Sequence, residues 1–219
     1  MRYGPLFLVL GASIAALGAM AGGAALALLW PAVSFGAVGV AYMAARPVML
    51  GKRADGTLAP WAIVLLAPYL LLALLILRVE RILTRERAAD EVAPGIWVGR
   101  RPLGREIPDR VRWVVDLTAE LAASAAVRGR DGYLCVPVLD GTAPGEAALR
   151  DLLARLREGD GVLVHCASGH GRSATVAAAL MVARGLAADV EIAEALMRVK
   201  RPGIRLNATQ RARVRGLGP

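Results

Sequence analysis

Residues 161–173 read Gly161-Val162-Leu163-Val164-His165-Cys166-Ala167-Ser168-Gly169-His170-Gly171-Arg172-Ser173. The run Val162 to Val164 is short, apolar and β-branched, which predicts a buried strand. The run from Ala174 to Arg184 is Ala-rich and predicts a helix. A tight glycine-containing loop between strand and helix turns backbone N–H groups toward one point at a helix N-terminus, where hydrogen bonds and the helix dipole both favour an anion. The same field favours a thiolate at Cys166 over the thiol form of a free cysteine, whose pKa is about 8.5. A thiolate facing a bound oxyanion is placed for covalent chemistry. Arg172 supplies a planar fork for two anion oxygens, which Lys does not. Gly169 and Gly171 permit backbone conformations that a side chain resists. Ala167, Ser168 and His170 complete the loop. Ser173 offers a hydroxyl to the sulfur, and His165 orients the loop through its ring nitrogens. His170 either adds positive charge at mildly acidic pH or faces solvent.

The stretch resembles the signature His-Cys-x-x-Gly-x-x-Arg-Ser/Thr of the cysteine-dependent protein tyrosine and dual-specificity phosphatases, matched at His165, Cys166, Gly169, Arg172 and Ser173. The resemblance implies hydrolysis of phosphomonoesters through a phosphocysteine, with no metal and no cofactor. It also implies a carboxylic acid on a loop that protonates the leaving group. Asp140 follows the strand-like run Tyr133 to Leu139 and opens the loop Gly141-Thr142-Ala143-Pro144-Gly145, which suits a segment that closes over substrate. A helix-capping role is its structural alternative. Asp116 reads as a strand-end turn or cap residue, and Asp160 as part of a simple turn. Ala93 to Gly99 and Arg201 to Gln210 resemble the opening and closing segments of dual-specificity domains. Asn207 and Gln210 either position water or the acid loop, or cap the last helix.

The resemblance spans roughly residue 90 to the C-terminus. It lacks the long N-terminal extensions and the phosphotyrosine-recognition loop of the larger tyrosine-specific enzymes, which implies a shallow pocket and loose substrate choice. Phosphoprotein and phospholipid head groups are both expected substrates. Lipid phosphatases of the tensin type are similar in this loop but carry extra lysines in it, whereas this chain has only His170. Two other readings fit the same loop: a catalytically weak phosphate-binding module, and sulfur or arsenate chemistry on a related site.

Strands near 96–98, 112–116, 133–138 and 161–165 alternate with helices near 120–128, 146–157, 173–184 and 189–200. That order predicts an α/β domain with a central, largely parallel sheet flanked by helices and a site at the strand C-terminal ends. Leu149, Leu152, Leu153 and Leu156 form one core-facing stripe, and Ile192, Ala195, Leu196 and Val199 are read as another.

The first third of the chain is different material. No charged residue occurs from Tyr3 to Ala45, a run about twice the ~20 residues that cross a bilayer once. A second uncharged apolar run covers Leu58 to Leu77, and mean hydropathy over the chain is +0.50. Three membrane-spanning helices are expected at 5–21, 25–45 and 59–78, with a hairpin at Ala21-Gly22-Gly23 and a kink or interfacial anchor at Trp30-Pro31. The domain division is therefore 1–80 as an all-α transmembrane region, 81–90 as linker and 91–219 as catalytic domain. A cleaved signal peptide ending near Ala21 is the rival for the first span. Arg2, Arg46, Lys52 and Arg53 nearly balance Arg78, Arg81, Arg85 and Arg87 across the bilayer. The continuing arginines at 100, 101 and 105 favour a cytoplasmic catalytic domain in a multi-pass integral membrane protein, as does a catalytic thiol.

The chain carries a net charge of +9, and beyond Glu194 every charged side chain is basic. Such a tail either lies against anionic lipid or is an ordinary solvated helix end. No aromatic side chains interleave with it, so nucleic acid is not an expected partner. The two cysteines exclude a disulfide framework. Cys135 reads as a core residue, with a resolving-thiol role for oxidised Cys166 as the alternative.

Overall fold

The computed structural model describes residues 3–84, 86–156 and 161–217. Arg2, Arg85 and Asp160 lie outside the described residues. The chain divides into two compact units. One comprises residues 1–53, 57–83 and 119–122, the other 54–56, 84–118 and 123–219.

The first unit is helical. α1 spans Tyr3–Ala21, and a 3-10 segment over Gly23–Leu28 leads into α2, Leu29–Met43. Tyr3–Ala21 and the continuous segment Gly23–Met43 are each long and apolar enough to cross a membrane. The expected hairpin lies at Gly22 and Gly23, both with positive φ. The change from 3-10 to α winding falls just before Pro31, whose missing N–H leaves no bond to the preceding turn. The buried residues of α1 are Gly4, Gly11 and Gly18, one every seven residues. A Cβ on Gly11 would stand 2.8 Å from the Ala32 carbonyl oxygen, so the two backbones touch along this line.

The run expected as one helix over 59–78 is two: α3, Pro60–Leu65, and α4, Ala67–Leu83. Pro68 removes the N–H that would have bonded one turn back. The Tyr69 N–H is taken instead by the buried Ser34 hydroxyl at 3.3 Å. Neither piece reaches the length of a span by itself.

The second unit is the expected α/β domain. Its strands are β1 (Ala89–Ala93), β2 (Ile96–Gly99), β3 (Trp113–Thr118), β4 (Tyr133–Val138) and β5 (Val162–His165). They lie in the order β1-β2-β5-β3-β4, all parallel except the antiparallel β1–β2 hairpin. β1 was not read from the sequence, because Asp90 and Glu91 break its apolar pattern and Gly95 supplies the tight turn only in the fold.

The helices are α5 (Ala125–Arg128), α6 (Glu146–Leu156), α7 (Arg172–Ala183), α8 (Val190–Lys200) and α9 (Ala208–Arg215). α5 is a single turn where a helix over 120–128 was expected. The main core joins Val115, Leu117, Val162 and Val164 of one sheet face to Leu149, Leu152 and Leu156 of α6 and to the wholly buried body of α7. The opposite face carries a smaller cluster of Trp97, Val114, Leu163, Ile107, Val111 and Val127.

α8 corrects the reading of its apolar stripe. Its buried side is Val190, Ala193, Glu194 and Met197, while Ile192, Leu196 and Val199 are exposed, Val199 to 77%. The basic residues of α9 are ion-paired: Arg211 with Glu194, Arg213 with Glu146 and Arg215 with Glu191. That ties the tail's helix to α8 and α6 and accounts for its charge within the domain.

Candidate active site

The C-terminal ends of β2, β3, β4 and β5 meet along one edge of the sheet, where doubly wound folds place ligands. β5 ends at His165, and the next residue, Cys166, turns into the loop that opens α7. Cys166 is buried at 3% exposure. Its Sγ lies 3.4 Å from the Ser173 Oγ and accepts the Gly169 N–H at 3.2 Å. Ser173 stands in the first turn of α7, so the sulfur faces the positive end of that helix.

Gly169 is required twice over. Its φ is +83°, and a Cβ there would fall 2.4 Å from the Gly99 carbonyl carbon at the end of β2. Gly171 has negative φ, so the expected conformational argument does not hold for it. A Cβ there would lie 3.1 Å from Gln210 Nε2, so a side chain at this position requires Gln210 to shift by a few tenths of an ångström.

Arg172 is 1% exposed, and its Nη1 donates to the Val138 carbonyl at 2.8 Å. Its Nε stands 3.2 Å from Asp140 Oδ1. The Asp140 side chain is half exposed. The structure thus brings Cys166, Ser173, Arg172 and Asp140 to one place.

The loop after Asp140 is tied down rather than free. The Thr142 N–H and hydroxyl both return to the Leu139 carbonyl. Asn207 Nδ2 donates to the Gly141 carbonyl at 2.9 Å, and Gln210 Nε2 to the Thr142 carbonyl at 3.0 Å. Asn207 and Gln210 also form a reciprocal capping box at the start of α9. Both roles read from the sequence are therefore present in the same two side chains.

His165 is buried with its Nε2 3.9 Å from Asp116 Oδ1, beyond hydrogen-bond reach. Asp116 is fully buried on β3, opposite Cys135 of β4 and His165 of β5. It accepts from the Thr118 N–H at 2.9 Å, the Thr118 hydroxyl at 2.6 Å and the Tyr133 hydroxyl at 2.9 Å. Burial, then the Asp116 charge, push the Tyr133 phenol far above its ordinary range, so it stays a neutral donor. Asp116 was read as a strand-end turn or cap residue; it lies inside β3 and holds Thr118 and Tyr133.

Cys135 and His165 both pair with Asp116 from opposite sides. Two strand spacings of about 4.8 Å separate them, so Cys135 is too far from Cys166 for a disulfide without moving backbone. The resolving-thiol alternative is set aside on that geometry.

Two features of the site were missed in the sequence reading. The first is a carboxylate partner for His170: its Nε2 is 2.7 Å from Glu86 Oε2. Arg201, 1% exposed, donates to the loop carbonyls of Gly169 and Ser168, each at 3.0 Å. The only sequence signal for Arg201 was its place in the closing segment, and Glu86 had none.

The chain matches a family model described as the Swiss Army Knife protein, DSP-PTPase phosphatase domain, over residues 109–214. Among solved structures it is similar to Tk-PTP in its active form, at 32% identity over 59% of this chain and 95% of that one, with a TM-score of 0.50. PTPMT1 in complex with PI(5)P shares the fold at 20% identity, covering 59% of this chain and 94% of that one, with a TM-score of 0.51. A human tyrosine phosphatase-like serine/threonine/tyrosine-interacting protein shares it at 18% identity over 60% and 95% of the two chains, with a TM-score of 0.51. No protein with a curated description matches the chain. The family match and the 32% identity to Tk-PTP over nearly its whole length establish that the chain belongs to the dual-specificity phosphatase family.

Proposed function

We propose that the protein is a membrane-anchored phosphatase that hydrolyses phosphomonoesters through a phosphocysteine, without metal. The observation that carries this reading is the convergence on Cys166 Sγ of the Gly169 N–H, the Ser173 hydroxyl and the start of α7, beside the buried Arg172. In the first step the Cys166 sulfur attacks phosphorus while Arg172 and the loop N–H groups hold the non-bridging oxygens. The P–O bond to the leaving group breaks, and Asp140 gives its proton to that oxygen. In the second step Asp140 takes a proton from water, the water oxygen bonds to phosphorus, and the S–P bond breaks. The Ser173 hydroxyl donates to the departing thiolate.

Phosphate on a protein or on a phospholipid head group fits this chemistry. The fold neighbour PTPMT1 is described in complex with a phosphoinositide, and this chain has two apolar helices of membrane-spanning length. Both make the lipid arm of the test as necessary as the peptide arm. The anchor reading rests on those helices, and a cytoplasmic catalytic domain on the juxtamembrane arginines and the reduced thiol the chemistry needs.

The test is phosphate release by the detergent-solubilised full chain from a phosphotyrosine peptide and from phospholipid monoesters in mixed micelles. Cys166→Ser is expected to abolish release while still binding orthovanadate. Full activity in that variant refutes the nucleophile assignment.

A further inference from the structure

Glu86 lies three residues beyond the end of α4 and outside the signature stretch. Its Oε2 is 2.7 Å from His170 Nε2 and 2.9 Å from an Arg201 Nη2 that also reaches Ser168. Arg201 Nη1 donates to the Arg87 carbonyl at 3.0 Å and to Asp90 Oδ2 at 2.8 Å. The Glu86 carbonyl in turn accepts from Arg100 Nη1 at 3.2 Å. A cavity of about 370 Å³ opens on this cluster, lined by Glu86, Arg87, Asp90, Lys200, Arg201 and Pro202.

The consequence for the loop follows from peptide geometry. In a planar trans peptide the carbonyl of one residue and the N–H of the next point in opposite directions. Arg201 draws the carbonyls of Ser168 and Gly169 toward itself. The N–H groups of Gly169 and His170 are thereby aimed the other way, and the Gly169 N–H does meet Cys166 Sγ at 3.2 Å. Arg201 is a buried cation and holds that pose only while carboxylates balance it. Glu86 supplies one of the two and grips the loop a second time through the His170 ring.

We propose that Glu86 is a positioning residue for the catalytic loop, acting through Arg201 and His170, so that the segment just after α4 sets how well the loop holds an oxyanion. This rests on the phosphatase reading of the site. Glu86→Gln keeps the shape and removes the charge, while Asp90 still pairs with Arg201. In the detergent-solubilised full chain, kcat/KM for p-nitrophenyl phosphate is expected to fall about ten-fold, in line with the effect of a small misplacement of catalytic groups. Affinity for orthovanadate is expected to fall by a similar factor, with Tm within about 2 °C of wild type. His170→Gln is expected to reproduce part of the loss, and the double variant to lose less than the product of the two.

Activity and orthovanadate affinity of Glu86→Gln within two-fold of wild type overturn the proposal. So does a His170→Gln chain with wild-type values, or losses that only track Tm. If the wild-type chain releases no phosphate from any substrate, the phosphatase reading falls, and orthovanadate affinity alone still decides the role of Glu86.

Discussion

At the scale of the residue, the contrast between Arg172 and Asp140 is the most informative. Arg172 is wholly buried and bonded to the Val138 carbonyl, while its ion-pair partner Asp140 is half exposed at the rim. On the mechanism proposed above, a rim carboxyl 3.2 Å from Arg172 Nε serves as the acid toward the bridging oxygen of a bound ester, and its proton matters most when the leaving group is a poor one. Asp140→Asn is therefore expected to lower kcat about 10²–10⁴-fold on alkyl phosphates and much less on nitrophenyl phosphate. Steady-state kinetics on the two esters checks this, and equal losses on both remove the acid role. The signature was legible because all its members fall within nine residues of chain. Glu86 and Arg201 were not, since Glu86 meets His170 across 84 positions and Arg201 meets Asp90 across 111, and no local pattern marks such pairs.

At the scale of the element, α8 shows why a helical period predicts a helix more reliably than it predicts a buried face. Ile192, Leu196 and Val199 make one acceptable stripe, and Val190, Ala193 and Met197 another. The fold buries the second, because Glu194 sits on that side with a dedicated set of partners. It accepts the Leu206 N–H at 3.1 Å and two bonds from Arg211, at 2.8 and 3.1 Å. Burial resists the charge on Glu194, but the Arg211 and Leu206 bonds outweigh it and hold the carboxyl below its ordinary value. The folded state therefore releases this proton more readily than the unfolded chain. Its stabilising contribution is complete above the unfolded carboxyl value of about 4.3 and is lost as pH falls below that through the folded value. Glu194→Gln is expected to destabilise the domain by about 1–3 kcal/mol at pH 7, with the deficit shrinking toward pH 3. Denaturant melts across that range measure it.

α9 is an element with two duties. Its first-turn side chains Asn207 and Gln210 cap the helix and also hold the Gly141 and Thr142 carbonyls beside Asp140. Asn207→Ala removes one cap and one tie. The cap alone is worth about 1 kcal/mol, so a modest drop in Tm is expected together with a several-fold fall in kcat. A fall in Tm with unchanged kcat would leave Asn207 a cap and nothing more.

At the scale of the whole molecule, the sequence marked the change of material between an apolar first third and an α/β remainder, because composition shifts sharply there. The start of the second unit was less visible. Apart from residues 54–56 it starts at Thr84, within a stretch read as linker, since Glu86, Arg87 and Asp90 bind Arg201 and Ala89 pairs with Gly99 in β1–β2. A charged run after an apolar helix looks like a tether until its partners are known. The boundary has a consequence that two soluble fragments separate. A fragment of residues 84–219 keeps every Arg201 contact named above, whereas one of residues 91–219 loses both carboxylates and leaves a buried guanidinium facing only carbonyls. Removing the partners of a buried charge destabilises by about 3–5 kcal/mol. The shorter fragment is therefore expected to show a Tm lower by roughly 10 °C or more and weaker orthovanadate affinity than the longer one. Equal melting and equal affinity in the two would place the start of the working domain after Asp90 and return residues 84–90 to the role of a tether.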